Sequence, residues 1–391
     1  MINFNHIKND IPYYKDMLFL NSAGASLMPK TVVKSISSYL NEEEKHGGYK
    51  VKELYENILS EFYVQASILL NCAPQNIAFT HDATDAYSKA LSSIAFKPND
   101  VLITSDDDYA SNHIQFLSLA ERYGIKIYRI KNLENGDLDI NDFKRLVDQH
   151  TPKLVAITHV PTNSGMVQNV TDIGEICHQN DILFLVDACQ SVGQIEVDVQ
   201  KIKCDFLSAT GRKFLRGPRG TGFLYVSDRV LALGYKPLMI DGRGAVWKSE
   251  VGFDVLTSAK RFETWEAPYA LTVGFAKVLL YGNTIGVENI QAYNATLMKK
   301  LQSNLTSIKN IQIQDKGSQQ CNILTFVKNG KSLQEIKEIL DKHRVYFTVS
   351  TLEWGVIDYA KKGIHGSIRL SPHYFNTLEE MDQVSEIIEN I

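Results

Sequence analysis

The sequence predicts an α/β fold. A large domain holds a mainly parallel sheet of the seven-stranded type sandwiched by helices, and a smaller α+β domain follows. Three observations predict it. Short apolar runs alternate with helix-spaced segments from Ile77 to Val226. Those runs are almost continuously apolar, as strands buried on both faces are. After Leu280 a long helical segment gives way to runs that alternate apolar and polar, the mark of a second, smaller sheet. The expected division is 21–279 for the large domain, with 1–20 and 280–391 forming the small one.

Bulk properties narrow the classes. The chain has 391 residues, 44% hydrophobic and 22% charged, with a net charge of −4. No basic excess points to nucleic acid, and no polybasic block points to an anionic membrane. No apolar run nears the roughly 18 residues of a membrane span. Residues 1–6 lack the charged and apolar regions of a secretion signal. The five cysteines, Cys72, Cys177, Cys189, Cys204 and Cys321, are scattered and form no CxxC pair. They read as reduced thiols of a cytoplasmic protein, not as a disulfide frame or a metal site.

Taken in order, Leu18-Phe19-Leu20 is an apolar run ending in the small residues Asn21-Ser22-Ala23-Gly24. Ala23 and Gly24 allow close approach of a ligand to backbone, and a plain turn explains them equally well. Thr31–Lys45 and Val51–Leu70 have helical spacing, separated by Gly47-Gly48. Ile77–Thr80 reads as a strand running into a polar turn and a helix. Ala83 and Thr84 there offer backbone N–H groups and a hydroxyl to an anion, and Asp82 offers an ordinary cap. Val101–Thr104 is the next strand. The acids Asp106, Asp107 and Asp108 after it lack the spacing and glycine of a calcium loop and read as charges at a helix N-terminus. Tyr109 then falls at a strand's carboxyl end, where ligands of open α/β sheets sit.

Strands at 125–130, 154–158 and 182–186 alternate with helices at 140–147 and 170–178. The segment 241–260 is irregular. Helices follow at 269–280 and 287–305, strands at 311–314 and 322–327, a helix at 333–343, extended runs at 345–349 and 367–370, and a helix at 378–388.

One stretch carries chemistry. In Ser208-Ala209-Thr210-Gly211-Arg212-Lys213 a lysine sits in a glycine-rich loop. Upstream, Asp187 closes the buried run Leu183-Phe184-Leu185-Val186. Pyridoxal phosphate (PLP) chemistry needs such a pair: a lysine for the Schiff base and an acid that keeps the ring nitrogen protonated. Nearby arginines favour a neutral Lys213 by like-charge repulsion. Gln190 is placed for the ring oxygen and Tyr109 for stacking on the ring. Ala83, Thr84, Thr210 and Arg212 are placed for the phosphate, and Arg369 for a substrate carboxylate. A surface loop lysine and a surface strand arginine are the plain alternatives for single residues. A nucleotide-binding Gly-x-Gly-x-x-Gly turn is missing after the first strand.

The same motifs resemble a known family. Phe19–Gly24, Thr80–Asp85, His159–Gly165, Val186–Gln190, Gly211-Arg212-Lys213, Arg261-Phe262-Glu263 and Ile368–His373 resemble the fold-type I PLP enzymes of aminotransferase class V, the cysteine desulfurase-like group. The resemblance implies PLP as cofactor, with Lys213 as Schiff-base lysine and Asp187 as ring-nitrogen partner. It implies ring-oxygen contacts from Gln190 helped by Asn163 or Thr162, stacking by Tyr109 in place of a histidine, and phosphate contacts from Thr84, Thr210 and Arg212. Arg369 becomes the substrate-carboxylate ligand. A homodimer is implied, with the 261–266 segment reaching the other subunit's cofactor.

Two departures shape the expectation. The region 348–355 holds no cysteine, where desulfurases keep a catalytic one, and Glu266 stands where they keep a phosphate-binding threonine. The loop Gly47-Gly48-Tyr49, the run Gly217-Pro218-Arg219-Gly220 and the ending Arg369-Leu370-Ser371-Pro372-His373 resemble the branch of ergothioneine-type C–S lyases and isopenicillin N epimerase-like proteins. The expectation is therefore C–S β-elimination from a cysteine derivative or its sulfoxide, without a protein persulfide. Transamination or epimerisation of an amino acid is the alternative, and a non-catalytic relative would have no need of Lys213 and Asp187.

Overall fold

The computed structural model describes Ile7, residues 9–11 and residues 16–391. The reading of residues 1–6, and part of the expected 1–20 assignment, lie outside the described residues. A short strand, β1 (Leu18–Phe19), belongs to the later, smaller layer. The main sheet contains β2 (Ile77–Thr80), β3 (Val101–Thr104), β4 (Lys126–Arg129), β5 (Leu154–Thr158), β6 (Leu183–Asp187), β7 (Phe206–Thr210) and β8 (Gly222–Val226). Their order is β2-β8-β7-β6-β5-β3-β4, and only β8 runs against its neighbours.

Period two explains the two cores. Val155 and Ile157 of β5 join Phe184, Val186 and Leu207 in one apolar cluster. Leu154 and Ala156 join Leu183, Leu185 and Phe206 in another. Alternate side chains of one strand thus point into opposite layers of helix. Each fully buried large side chain contributes about 1.5–3 kcal/mol. Parallel packing brings the carboxyl ends of β3, β5, β6 and β7 to one edge, where Thr158 stands beside Asp187 and Asp187 beside Ser208.

The segment expected to be irregular contains a hairpin, β9 (Ala245–Ser249) and β10 (Gly252–Val255), next to Glu250 and Val251. Its side chains are largely exposed, so no burial pattern marked it in the sequence. The predicted helix 51–70 is two helices, Gly48–Leu54 and Glu56–Leu70, parted at Tyr55. The small layer holds β11 (Ile311–Ile313), β12 (Leu324–Lys328), β13 (Val345–Tyr346), β14 (Thr348–Thr351) and β15 (Gly366–Leu370). Four of these form a sheet ordered β11-β12-β15-β14, and β13 pairs with β1. A helix at Val356–Lys362, not predicted, joins β14 to β15.

The lysine loop is pinned from both layers. Arg216 has a left-handed φ of 63° and a fully buried side chain. Its Nε donates to Leu27 O at 2.8 Å and its Nη1 to Tyr374 Oη at 2.7 Å. The guanidinium also lies over the rings of Tyr374 and Phe375. His373 Nε2 meets Phe214 O at 2.8 Å. These contacts fix where the next residues of the loop can sit.

Gly222 in β8 allows a close backbone approach near this edge. A Cβ there would lie 2.7 Å from Ala209 O and 2.7 Å from Asp82 C, both backbone atoms that cannot swing aside. Gly222→Ala is expected to cost roughly 1–3 kcal/mol by overpacking, read as a lower urea midpoint with unchanged slope; an unchanged midpoint would refute this packing argument.

Candidate active site

Lys213 lies at the carboxyl edge of the sheet in a cavity of about 330 Å³. Asp187, Cys189, Gln190, Tyr109, Thr84 and Thr210 line the same cavity. The lysine is buried, and burial pushes its pKa down to about 8. Arg212 and Arg369 lower it further, while Cys189 and Asp187 oppose them. The like-charge repulsion read from the sequence is therefore real but secondary to desolvation. The Tyr109 ring centroid is 5.9 Å from Lys213 Nζ.

Asp187 is held at the end of β6 by two donors. Its Oδ1 accepts from the Cys189 N–H at 2.9 Å and its Oδ2 from Asn112 Nδ2 at 3.0 Å. Each oxygen keeps acceptor capacity for one more donor. Gln190 Nε2 donates to Ala23 O at 3.1 Å, and its buried Oε1 has no partner. At the other end of the cavity the helix Ala83–Ser92 begins. Asp82 caps it by accepting from the Asp85 N–H at 2.8 Å, which leaves Ala83 and Thr84 at the cavity wall.

Thr210 Oγ1 makes only a long contact of 3.4 Å to Thr221 O. Arg212, expected at the phosphate, donates from Nη1 to Gly24 O and so also reaches the N-terminal loop. Arg219 lines the cavity too and was not singled out in the sequence.

An adjoining cavity of about 360 Å³ carries Arg369, Ala23, Gly24, Thr162, Asn163 and Trp354. Tyr109, Thr162, Arg212, Lys213 and Arg219 line both spaces. Arg369 donates to Thr162 O at 3.0 Å and to Thr348 Oγ1 at 3.0 Å, and its buried Nε has no partner. Among the described residues no carboxylate pairs with it. Burial pushes its pKa down to about 10, Arg212 adds to this, and Tyr359 opposes it. A buried cation without an acid is a standing demand for an anion.

Asn163 lines this second space and not the first, which holds Asp187 and Gln190. Its Nδ2 donates to Trp354 O at 2.7 Å, so its amide holds the loop after β14.

The three acids at 106–108 are not solvated helix charges; all are buried. Asp106 pairs with Lys361, Asp107 accepts from Asn132 Nδ2 at 2.9 Å, and Asp108 binds Asn112 and Thr158. Burial and the neighbouring Asp358 raise Asp107 to about 7. Arg261 and Glu263 serve their own chain. Arg261 donates to Leu231 O and Tyr235 O, and Glu263 accepts from Tyr63 Oη at 2.7 Å and from the Phe79 N–H at 3.0 Å. Trp265 and Glu266 are exposed beyond them. Asn112 and Asp108 were missed as site residues. Their spacing of i and i+4 was the available signal, but it is common in any helix.

A buried amine of lowered pKa, an acid fixed beside it, an open helix N-terminus and an unpaired guanidinium define a site built for a PLP-dependent enzyme acting on an amino acid. The chain belongs to the aminotransferase class-V family, which it matches over residues 18–384. It is 30% identical over 391 residues to a probable cysteine desulfurase of Methanothermobacter thermautotrophicus, covering 98% of this chain and 97% of that one. The structure of a cysteine desulfurase from Thermococcus onnurineus NA1 superposes with a TM-score of 0.91 at 25% identity, covering 100% of this chain and 98% of that one. A C-DES variant with glycine covalently linked to its PLP cofactor shares the fold, with a TM-score of 0.87 at 18% identity, covering 98% of this chain and 99% of that one.

These findings correct two expectations. The exclusion of a persulfide-forming cysteine desulfurase is overturned, because the relatives and structural neighbours carry that name. The nearer likeness to ergothioneine-type lyases and isopenicillin N epimerase-like proteins is unsupported by those same names. The missing cysteine at 348–355 is one local feature, whereas the likeness to desulfurases covers the whole chain.

The residues present fit PLP. Lys213 would carry it, Asp187 would face its ring nitrogen, and Gln190, whose Oε1 has no partner among the described residues, lies on the same cavity wall. Two outcomes follow. The rate at which apo-protein takes up PLP should rise roughly tenfold from pH 7 to pH 9, because an amine with a pKa about 8 becomes neutral across that range; stopped-flow absorbance checks it, and a rise of about 100-fold, as a lysine of ordinary pKa would give, contradicts the lowered pKa. Arg369→Ala should lower kcat/KM roughly 100-fold, mainly through KM, while PLP uptake stays unchanged.

Proposed function

We propose that the chain cleaves the C–S bond of L-cysteine or an S-substituted cysteine, with PLP held on Lys213. The observation that carries the reading is the buried, unpaired Arg369 in a space continuous with Lys213 and Asp187. A guanidinium there selects an α-carboxylate by a forked pair of hydrogen bonds. When bound, the cofactor supplies an aldehyde for the substrate's amino group and a ring that accepts the electrons of the broken Cα–H bond.

The chain's own residues do the rest. Asp187 keeps a proton at the ring nitrogen. Lys213 Nζ, whose pKa lies at about 8, is suited to remove and return a proton near neutral pH. Tyr109 packs over the same space. Thr84, Thr210 and the N–H groups at the start of the helix Ala83–Ser92 hold the phosphate. The desulfurase names of the relatives support sulfur removal, and the balance for L-cysteine is direct. Its Cβ–S bond breaks, an S–S bond forms to an acceptor thiol, and Cβ gains a proton, giving alanine and a persulfide.

We also infer a homodimer. The exposed Trp247 and Val251 at the β9–β10 hairpin and the exposed Trp265 present apolar surface beside the segment that holds Glu266.

Purified protein should show a visible absorbance band that is lost in Lys213→Ala. Incubated with L-cysteine and a reducing thiol, it should release alanine and sulfide in equal amounts. Pyruvate and ammonia in place of alanine would indicate β-elimination from the same substrate class. Amino transfer to a keto acid, or epimerisation, with no sulfur released would overturn the C–S reading.

A further inference from the structure

Asp108 is the buried acid the proposed reaction leaves unused. It does not line the cavity, although Asn112, Thr158 and Asp187 do. Its Oδ2 accepts from Thr104 Oγ1 at 3.0 Å. Its Oδ1 accepts from the Tyr109 N–H at 2.7 Å, from Asn112 Nδ2 at 2.9 Å and from Thr158 Oγ1. Three donors converge on Oδ1 and one on Oδ2, and the carboxyl lines no part of the cavity, so its bonding is internal to the protein.

Asn112 sits between two acids. One Nδ2 reaches Asp108 Oδ1 at 2.9 Å and Asp187 Oδ2 at 3.0 Å, which uses both of its N–H bonds. Turning the amide over would set its oxygen against two carboxylate oxygens in a buried place. Asp108 therefore decides which way the amide points. With Oδ2 fixed by Asn112 and Oδ1 by the Cys189 N–H, the plane of the Asp187 carboxyl is set.

We infer that Asp108 is a positioning residue for the cofactor's ring nitrogen, acting on Asp187 through the side-chain amide of Asn112 and on Tyr109 through its N–H. This rests on the reading of Asp187 as the ring-nitrogen partner. The chain geometry makes the link short. Asp108 and Tyr109 follow β3, Asn112 lies in the first turn of the helix Ala110–Tyr123, and Asp187 ends β6. One carboxylate thus ties the aromatic side chain over the cavity to the acid inside it.

The test uses apo-protein titrated with PLP labelled with ¹⁵N at the ring nitrogen. Asp108→Asn and Asn112→Ala should each weaken PLP binding roughly tenfold and move the ring ¹⁵N resonance toward its unprotonated position. The double variant should bind within about twofold of Asn112→Ala, because the first acts through the second. A purely structural role would lower the melting temperature but leave the ring-nitrogen resonance in place. Wild-type resonance in Asp108→Asn, or losses that multiply in the double variant, overturns the inference.

If Asp108→Asn does not fold, Asn112→Ala alone decides, since an unchanged resonance there also overturns the relay. Asp187→Asn separates the levels. A wild type that takes up no PLP, or Asp187→Asn with an unchanged resonance, overturns the underlying reading and the relay with it. A responsive Asp187→Asn beside an inert Asp108→Asn overturns the relay alone.

Discussion

Everything at the site depends on keeping one amine buried. Lys213 lies inside the protein, where water does not solvate its charge, and that desolvation is the largest cause of its pKa falling to about 8. A lysine in the same loop on the surface would remain an ammonium ion and a poor nucleophile. Its burial has structural costs that the neighbouring residues meet. Arg216 holds the turn in a left-handed conformation, and its guanidinium is enclosed by Tyr281, Tyr374 and Phe375. Gly217 N–H closes the loop on Gly211 O at 2.7 Å.

The second requirement is that two layers agree on one position. Arg369 comes from β15 of the small sheet, yet it donates to Thr162 O beyond β5 of the large one. Asp315 accepts from the Gly165 N–H at 2.7 Å and the Thr325 N–H at 2.6 Å, joining the same two layers. Asn163 adds its bond to Trp354 O. The substrate side of the site is therefore assembled across the layers. Any shift between them moves the Arg369 guanidinium relative to the Lys213 amine.

Acids are used here mainly as internal fasteners. Asp106, Asp107 and Asp108 are buried and Asp315 is half-buried, and each is bonded by donors from a different element. Asp187 is the exception in function, since it is bonded on one side and turned to the cavity on the other. A sequence reader sees three acids in a row and infers solvation. The fold instead turns successive side chains toward the small layer, the neighbouring strand and the active-site helix.

The sequence by itself determined the sheet and the cofactor chemistry. Strands buried on both faces must be apolar throughout, so β2, β3, β5, β6 and β8 were visible as apolar runs, whereas Ser208-Ala209-Thr210 of β7 read as loop and β4 is a partly exposed edge strand. Asp187 and Lys213 were legible because an acid closing an apolar run and a lysine in a glycine-rich loop after it are the pair that PLP chemistry needs. Local pattern decided less elsewhere. The hairpin 245–255 has exposed faces and carries no burial signal, and the absence of a cysteine at 348–355 pointed away from the desulfurases that the whole chain resembles. Which groups meet followed from packing: Asn163 holds Trp354, Arg212 reaches Gly24, Arg369 meets no acid among the described residues, and Asp108 touches Asp187 through Asn112. Those contacts join residues far apart in the chain, and their distances follow from how strands and layers stack, which no local spacing encodes.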